Sequence, residues 1–207
     1  FDYYAGYSRS ESDGHRDHSA GRLESAFARL GYDLAADWHA AYIFNTTDNY
    51  AEDPGRVDAP TPVRDRYNTR TYDNVLRLDH HGDSSAGYLL GYHEDGEANW
   101  QKDHLAGPQT PPGSSNTHWE NYGMRSSHSF ELDAWELTGG LDWTSVGGKF
   151  ENITTSGKKV FGYDDRFHLL SPALAVLYNL DLDGKATLRP SAGLRWYDNS
   201  EFDNETA

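Results

Sequence analysis

Clustered histidines, tryptophans and arginines are the side chains of this sequence best suited to bind a ligand. The densest group is His15-Arg16-Asp17-His18, which places two imidazoles and a carboxylate close together along the chain. These groups are suitable ligands for a transition metal and could also contact a metal chelate. The alternative is a solvated polar loop, because isolated ligands on a loop lack the supporting hydrogen bonds that hold a metal site.

A second group of aromatic and imidazole side chains lies on either side of a proline-containing stretch. Its members are Trp100, His104, His118 and Trp119. On the rim of a binding surface, these side chains would suit the capture of a bulky aromatic or chelated ligand. The alternative is that the tryptophans act as anchors at a membrane interface.

Four arginines lie on the polar side of segments in which apolar and polar residues alternate. They are Arg77, Arg125, Arg189 and Arg195. In a hollow structure they would line the interior and could hydrogen-bond an anionic chelate or a neighbouring domain. The alternative is that they pair with the acidic residues on the same side, Asp73, Asp79, Glu131 or Asp142.

Composition excludes several classes of function. The chain has 18 basic and 33 acidic residues and a net charge of −15, which argues against a nucleic-acid-binding protein. It has no cysteine, which excludes thiol nucleophiles, cysteine-ligated zinc and iron–sulfur clusters. There is no G-x-S-x-G, H-E-x-x-H or phosphate-loop motif. We therefore expect neither an enzyme nor a resident cofactor.

Alternation with a period of two predicts that β-strands position these side chains. From Ala186 to Trp196, every second residue is apolar or small, and Arg189 and Arg195 lie on the other side. The alternating run exceeds a usual globular strand and matches the ~9–11 tilted residues that cross a bilayer. Nine such segments are predicted: 1–9, 22–34, 39–46, 70–79, 87–93, 122–132, 137–147, 168–180 and 185–199. In segment 87–93 the alternating apolar set is Tyr88, Leu90 and Tyr92.

The connections between these segments alternate in predicted length. Short turns are expected at 35–38, 81–85, 133–136 and 181–184, and long loops at 10–21, 48–69, 94–121 and 151–165. Short periplasmic turns and long extracellular loops are typical of outer-membrane barrels, whereas sandwiches lack this asymmetry. Aromatic residues near strand ends would form the interfacial girdles. Pro172 and Pro190 lie inside predicted strands, where each removes a ladder donor.

Several short motifs resemble the barrel strands of TonB-dependent outer-membrane receptors. They are Asp2-Tyr3-Tyr4-Ala5-Gly6-Tyr7-Ser8-Arg9-Ser10 with residues 13–19, Arg29-Leu30-Gly31-Tyr32 with Trp38 and residues 47–49, Glu120-Asn121-Tyr122-Gly123-Met124-Arg125, and Gly147-Gly148-Lys149-Phe150-Glu151-Asn152. The resemblance extends over most of the chain. It consists of repeated strand–turn–strand units, of which none is specific alone.

The resemblance implies an all-β, antiparallel transmembrane β-barrel of 22 strands, of which about nine are present here. Residues 1–207 would then be a partial barrel domain, without the plug domain and the remaining strands. The implied function is energy-coupled uptake of a scarce metal-bearing nutrient, such as a ferric siderophore, haem or cobalamin. The implied partners are the TonB complex, acting through the plug, the metal-chelate ligand, and the lipid and lipopolysaccharide of a bacterial outer membrane.

Three other functions fit the same pattern of alternating strands. The first is a passive porin-like or structural outer-membrane barrel without energy coupling. The second is an outer-membrane barrel enzyme, since distant His, Ser and Asp residues could meet at a rim. The third is a soluble β-sandwich that binds carbohydrate through its Trp and Tyr side chains.

Overall fold

A computed structural model describes residues 1–54, 65–102, 113–154, 156–184 and 186–199. Within these ranges the chain forms strands and turns, and it contains no helix long and apolar enough to cross a membrane. The strands are β1 (Asp2–Ser12), β2 (Gly21–Ala35), β3 (Trp38–Asp53), β4 (Asp65–His81), β5 (Ser85–Lys102), β6 (Gly113–Leu132), β7 (Trp135–Thr154), β8 (Lys159–Tyr178), β9 (Leu180–Leu182), β10 (Ala186–Leu188), β11 (Ser191–Arg195) and β12 (Asp198–Asn199).

The strands form an antiparallel meander. Strands β1 to β8 pair in chain order, and both β11 and β12 pair with β8. Strands β9 and β10 form a separate two-stranded hairpin beside this sheet. The prediction of an all-β antiparallel fold is therefore confirmed, and each of the nine predicted segments contains an observed strand.

The ninth predicted segment is broken into short strands, and Pro172 explains the break between β11 and β12. The backbone N–H of Trp196 donates to the carbonyl of Pro172 at 3.0 Å. The reciprocal bond is missing because proline has no N–H to donate. β11 therefore ends at Arg195, opposite Ala173, and pairing resumes only at Asp198, opposite Leu170.

The connections keep the predicted asymmetry but are shorter than expected on one side. The tight turns lie at residues 36–37, 82–84 and 133–134, as predicted. The predicted long loop 151–165 is wrong, since β7 continues to Thr154 and β8 begins at Lys159. The predicted loops 48–69 and 94–121 are also too long, because β3 continues to Asp53, β4 begins at Asp65, β5 continues to Lys102 and β6 begins at Gly113. Between β5 and β6, polar pairs such as Asn99 with Asn116 continue the ladder where hydrophobic alternation ends.

Cross-strand register gives the sheet one apolar and one polar face. One side of the sheet is called the apolar face. In one row of directly opposite residues that crosses β2 to β8, this face carries Leu30, Tyr42, Leu76, Gly91, Met124, Trp143 and Leu170. The opposite side is called the polar face. In the next row of directly opposite residues, this face carries Gly31, Ala41, Arg77, Leu90, Arg125, Asp142 and Ser171.

Strand β5 is reversed relative to its predicted face. Tyr88, Leu90 and Tyr92 lie on the polar face, and Leu89 and Gly91 lie on the apolar face. The reversal is physically reasonable because both tyrosines gain partners on the polar face, and the Tyr88 ring contacts the Arg77 guanidinium. The Tyr92 hydroxyl lies 2.7 Å from that of Thr144. Gly87 and Gly91 lie on the apolar face of β5, and because glycine has no side chain, the sequence pattern did not identify that face as the apolar one.

Neither face of the large sheet is covered by another layer within the described residues. Ala41 is the one apolar residue among them that is buried, at 3 % exposure, whereas Leu76 is 63 % exposed. The strands are also staggered. Trp38, at the start of β3, is level with His80, Gly87 and His128, yet β6 continues from there to Leu132. Such stagger accompanies strand tilt in barrels.

Candidate functional site

The polar face brings three of the four predicted arginines into one neighbourhood, which we call the arginine cluster: Arg77, Asp79, Tyr88, Arg125, Asp142, Ser171 and Arg195. Five neighbouring strands, β4 to β8, and the short strand β11 supply these side chains. Their meeting follows from register, because Arg125 lies directly opposite Asp142, which lies directly opposite Ser171.

Asp142 is the centre of the cluster. Its Oδ2 accepts a hydrogen bond from Arg125 Nε at 2.9 Å and another from Arg195 Nη2 at 3.3 Å. Arg195 Nε also donates to Ser171 Oγ at 2.7 Å, and Ser171 is only 2 % exposed. Asp142 Oδ1 is buried without a hydrogen-bond partner in the structure. One carboxylate therefore holds two guanidinium groups that remain about half exposed.

Arg77 forms the other half of the cluster. Its Nε and Nη2 donate to both oxygens of Asp79, at 2.7–2.9 Å. Its guanidinium carbon also lies 4.6 Å from the centre of the Tyr88 ring, a cation–π contact. The predicted alternative of acidic pairing is thus observed for Arg77 with Asp79 and for Arg125 and Arg195 with Asp142. Asp73 instead accepts a hydrogen bond from Asn45.

Arg189 does not join the cluster. It lies between β10 and β11, where its Nε donates to Asn179 Oδ1 at 2.7 Å and its Nη2 lies 3.3 Å from Glu136. The expectation that it occupies a continuous strand is wrong, because the ninth segment breaks before Ser191. It therefore stabilises the short-turn edge of the sheet.

A shallow cavity of about 430 Å³ lies against the cluster, lined by Arg125, Asp142, Ser171 and Arg195 among others. The exposed N–H groups of the two arginines can donate hydrogen bonds to a carboxylate or phosphate. The arrangement suits recognition of a polar or anionic group that passes along or docks on the polar face.

The group His15-Arg16-Asp17-His18 lies in the connection between β1 and β2. Ser19 organises this turn, because its hydroxyl donates to the Arg16 carbonyl at 2.6 Å and accepts from the Arg16 backbone N–H. His18 adopts a left-handed φ of 58°. Within the described residues, no three His, Cys, Asp or Glu side chains are grouped so as to hold a metal ion.

The second sequence group is divided between the two faces. Trp100 and Trp119 lie on the polar face, and His118 lies on the apolar one. Trp119 Nε1 donates to Glu94 at 2.7 Å, and His118 Nε2 lies 3.6 Å from Asp95. His104 lies outside the described residues. The structure therefore does not bring His118 to the side of the sheet that the tryptophans share.

A charged network near the longer connections was not singled out from the sequence. The apolar face becomes charged at its end near the longer connections. There Asp48 lies 3.3 Å from Arg22 and 2.8 Å from Arg70. Hydrogen bonding from Arg70, followed by the charges of Arg70 and Arg22, lowers the pKa of Asp48. Similarly, Lys159 and Lys149 lower the pKa of Glu151. Register reveals the pairs of Asp48, because Arg22 and Arg70 are 26 and 22 residues away in sequence.

Comparison with known proteins assigns no family, because no protein-family model and no curated protein matches the chain. The fold and the polar-face chemistry are therefore the basis for a functional conclusion.

Proposed function

We propose that this chain forms part of the wall of an outer-membrane β-barrel receptor that takes up a scarce metal-bearing nutrient with TonB-dependent energy. In this proposal the apolar face contacts lipid, the polar face lines the interior, and the tight turns are periplasmic. The arginine cluster then contacts either the plug domain or an anionic chelate. The barrel has 22 strands, as the sequence resemblance implies.

The observation that carries the membrane part of the proposal is the uncovered apolar face. A soluble protein rarely exposes a continuous apolar surface of this kind, whereas a barrel wall must expose one to lipid. A β-sandwich would bury the same face under a second sheet. Among the described residues, the only other sheet is the β9–β10 hairpin, which is too small to cover it.

Adjacent residues of one strand provide the test of orientation. Val75 and Leu76 are apolar neighbours in β4 on opposite faces, and the chain has no cysteine of its own. We expect a spin label at Leu76→Cys in reconstituted membranes to be relaxed by oxygen and shielded from a water-soluble nickel complex. The label at Val75→Cys is expected to show the opposite pattern. Equal access of the nickel complex to both labels would refute the membrane wall.

Energy coupling separates the receptor from a passive porin. We expect membranes that contain the complete protein to bind a ferric siderophore, haem or cobalamin, and cells to accumulate it. A proton uncoupler should abolish accumulation while leaving surface binding intact. Accumulation that is insensitive to the uncoupler would favour the passive barrel instead.

A further inference from the structure

The cavity against the arginine cluster is a trough across the polar face. Its floor is a row of small residues, Ser127, Gly140 and Ala173, which lie directly opposite one another on β6, β7 and β8. In the same row, Tyr88 closes one end of the trough and Arg195 closes the other. Because the floor side chains are small, a ligand can lie between the two larger ones.

Two guanidinium groups converge at one side of the trough. Asp142 Oδ2 accepts hydrogen bonds from both Arg125 and Arg195, so the two groups meet at one oxygen atom. Arg125 contacts Asp142 through Nε and Nη2, and Arg195 uses Nη2 for Asp142 and Nε for Ser171. The Nη1 groups of both arginines have no partner among the described residues. They therefore remain available to donate to an anion in the trough.

The positive charge at the trough is not cancelled by nearby carboxylates. Four consecutive rows of the polar face, from the row of Tyr92 to the row of Ser129, form and flank the trough across β4 to β8 and β11. The arginine and acidic residues of these rows are Arg77, Arg125, Arg195, Asp79 and Asp142. Asp79 pairs with Arg77, which leaves one carboxylate for the other two arginines. This excess of one positive charge suits a singly charged anion.

A carboxylate with neighbouring hydroxyl groups fits the trough better than a phosphate does. A carboxylate is planar, matches the guanidinium fork and carries one charge, whereas a phosphate monoester carries about two near pH 7. Ser127 supplies a hydroxyl group on the floor and Tyr88 supplies one at the end, and hydroxyl groups both donate and accept hydrogen bonds. The volume of about 430 Å³ is enough for a small ring.

The trough lies in the half of the sheet that is nearer the tight turns. Arg125 is closer to Leu132, where β6 ends, than to Gly113, where β6 begins. Trp100 and Trp119 lie toward the longer connections and are not part of the lining. In the proposed barrel the tight turns are periplasmic, so a cargo would reach the trough only after it has passed the longer connections.

We propose that this trough binds the carboxylate of a hydroxylated organic acid that is part of the cargo. Arg125 and Arg195 hold the carboxylate, and Ser127 and Tyr88 contact the hydroxyl groups. The inference rests on the proposed function, in which the polar face lines the interior of a transport barrel. It narrows the cargo from any metal-bearing nutrient to one that carries a hydroxylated carboxylate.

Binding of small molecules to the complete protein in detergent micelles tests the proposal. The probes are glucuronate, which has a carboxylate and hydroxyl groups, glucose, which lacks the carboxylate, acetate, which lacks the hydroxyl groups, and inorganic phosphate. In a saturation-transfer NMR titration, we expect glucuronate to bind about tenfold more tightly than each of the others. Equal affinity for glucose would overturn the role of the arginines, and equal affinity for acetate or phosphate would overturn the choice of a hydroxylated carboxylate.

Matched substitutions locate the binding. Arg195→Gln removes one guanidinium group, and Arg189→Gln is its control, because Arg189 is similarly exposed and also contacts one carboxylate and one neutral side chain. Ala173→Leu fills the floor, and Ala175→Leu adds the same bulk at the next residue of β8 on the same face, outside the lining. We expect Arg195→Gln and Ala173→Leu each to weaken glucuronate binding about tenfold and the controls to leave it unchanged.

The outcomes separate this inference from the proposed function. Equal effects within either pair of variants would overturn the trough as the binding site. If the complete protein binds no glucuronate and Arg195→Gln instead exposes the plug domain to protease, the arginines hold the plug and the inference fails. In both cases the proposed function stands if the label at Leu76 still faces lipid and an uncoupler still abolishes accumulation. If water reaches the Leu76 label, both proposals fail.

Discussion

At the scale of single residues, each face of the sheet has a carboxylate that serves two cations from different strands. Asp142 holds Arg125 and Arg195 from different strands, and Asp48 does the same for Arg22 and Arg70. Such shared partners join strands that are not neighbours in the sequence. The loss of the carboxylate therefore affects two guanidinium groups at once.

The first prediction concerns Asp142. Replacing it by Asn removes a charge-assisted acceptor from two arginines, and we expect a loss of about 1–2 kcal/mol in the free energy of unfolding. Urea unfolding in detergent micelles measures it. Asp73→Asn is the control, because Asp73 accepts a hydrogen bond from the neutral amide of Asn45 on the same face. Equal losses for the two variants would show that the arginine pairing contributes nothing.

The second prediction concerns the pH dependence that Asp48 causes. Hydrogen bonding to Arg70 lowers the pKa of Asp48 in the folded state, so the unfolded state binds the proton more readily. Its contribution to stability is therefore present above the unfolded pKa of about 4 and is lost as the pH falls through the lower folded value. We expect Asp48→Asn to remove part of the acid sensitivity of unfolding below about pH 4. A variant with an unchanged pH profile between pH 2 and 5 would contradict this.

At the scale of the strand, continuity of the backbone ladder sets where each element ends. Hydrophobic alternation stops well before the ladders of β5 to β8 do, because polar side chains there pair across strands. Conversely, the ladder between β8 and β11 stops at Pro172 although apolar alternation continues through Trp196. Backbone pairing therefore extends beyond the hydrophobic alternation in β5 to β8, and it ends before the alternation does at Pro172.

The third prediction follows from this break. Pro172→Ala restores an N–H directly opposite Trp196, whose own N–H already donates to the carbonyl of residue 172. We expect the added bond to join β11 to β12, to slow hydrogen exchange at the Trp196 amide, and to stabilise the protein by about 1 kcal/mol. Amides of β2 and β3 serve as the internal reference. Unchanged exchange at Trp196 would mean that another feature causes the break.

At the scale of the whole molecule, the sheet lacks a conventional core in the part of the chain that the structure describes. Hydrophobic residues make up 36 % of the whole chain, and large side chains of the apolar face such as Leu76 and Leu174 remain exposed. The stability of such an arrangement must come from backbone pairing, polar-face networks and whatever apolar medium covers the other face.

The fourth prediction is a requirement for detergent. We expect the purified protein to be monodisperse in micelles and to aggregate when detergent is diluted below its critical micelle concentration, because the apolar face is then left in water. Sedimentation velocity on both sides of that concentration measures it. A monodisperse protein in plain buffer would contradict the membrane wall and favour a soluble β protein.

The sequence by itself determined the all-β antiparallel class, the middle of every long strand, the tight turns and the face of most strands. Alternation is a local property, and at 137–147 or 168–180 the side chains report it directly. It also included Asp79 and Asp142 among the four acidic residues expected to pair with the arginines, without assigning a partner to each.

Only the tertiary structure decided the face of β5, the break at Pro172, the short turn after Thr154 and the meeting of Arg125, Asp142 and Arg195. The physical reason is the same in each case. Register between strands is a long-range property, set by the sum of hydrogen bonds and cross-strand contacts, and a glycine such as Gly91 carries no local sign of its face.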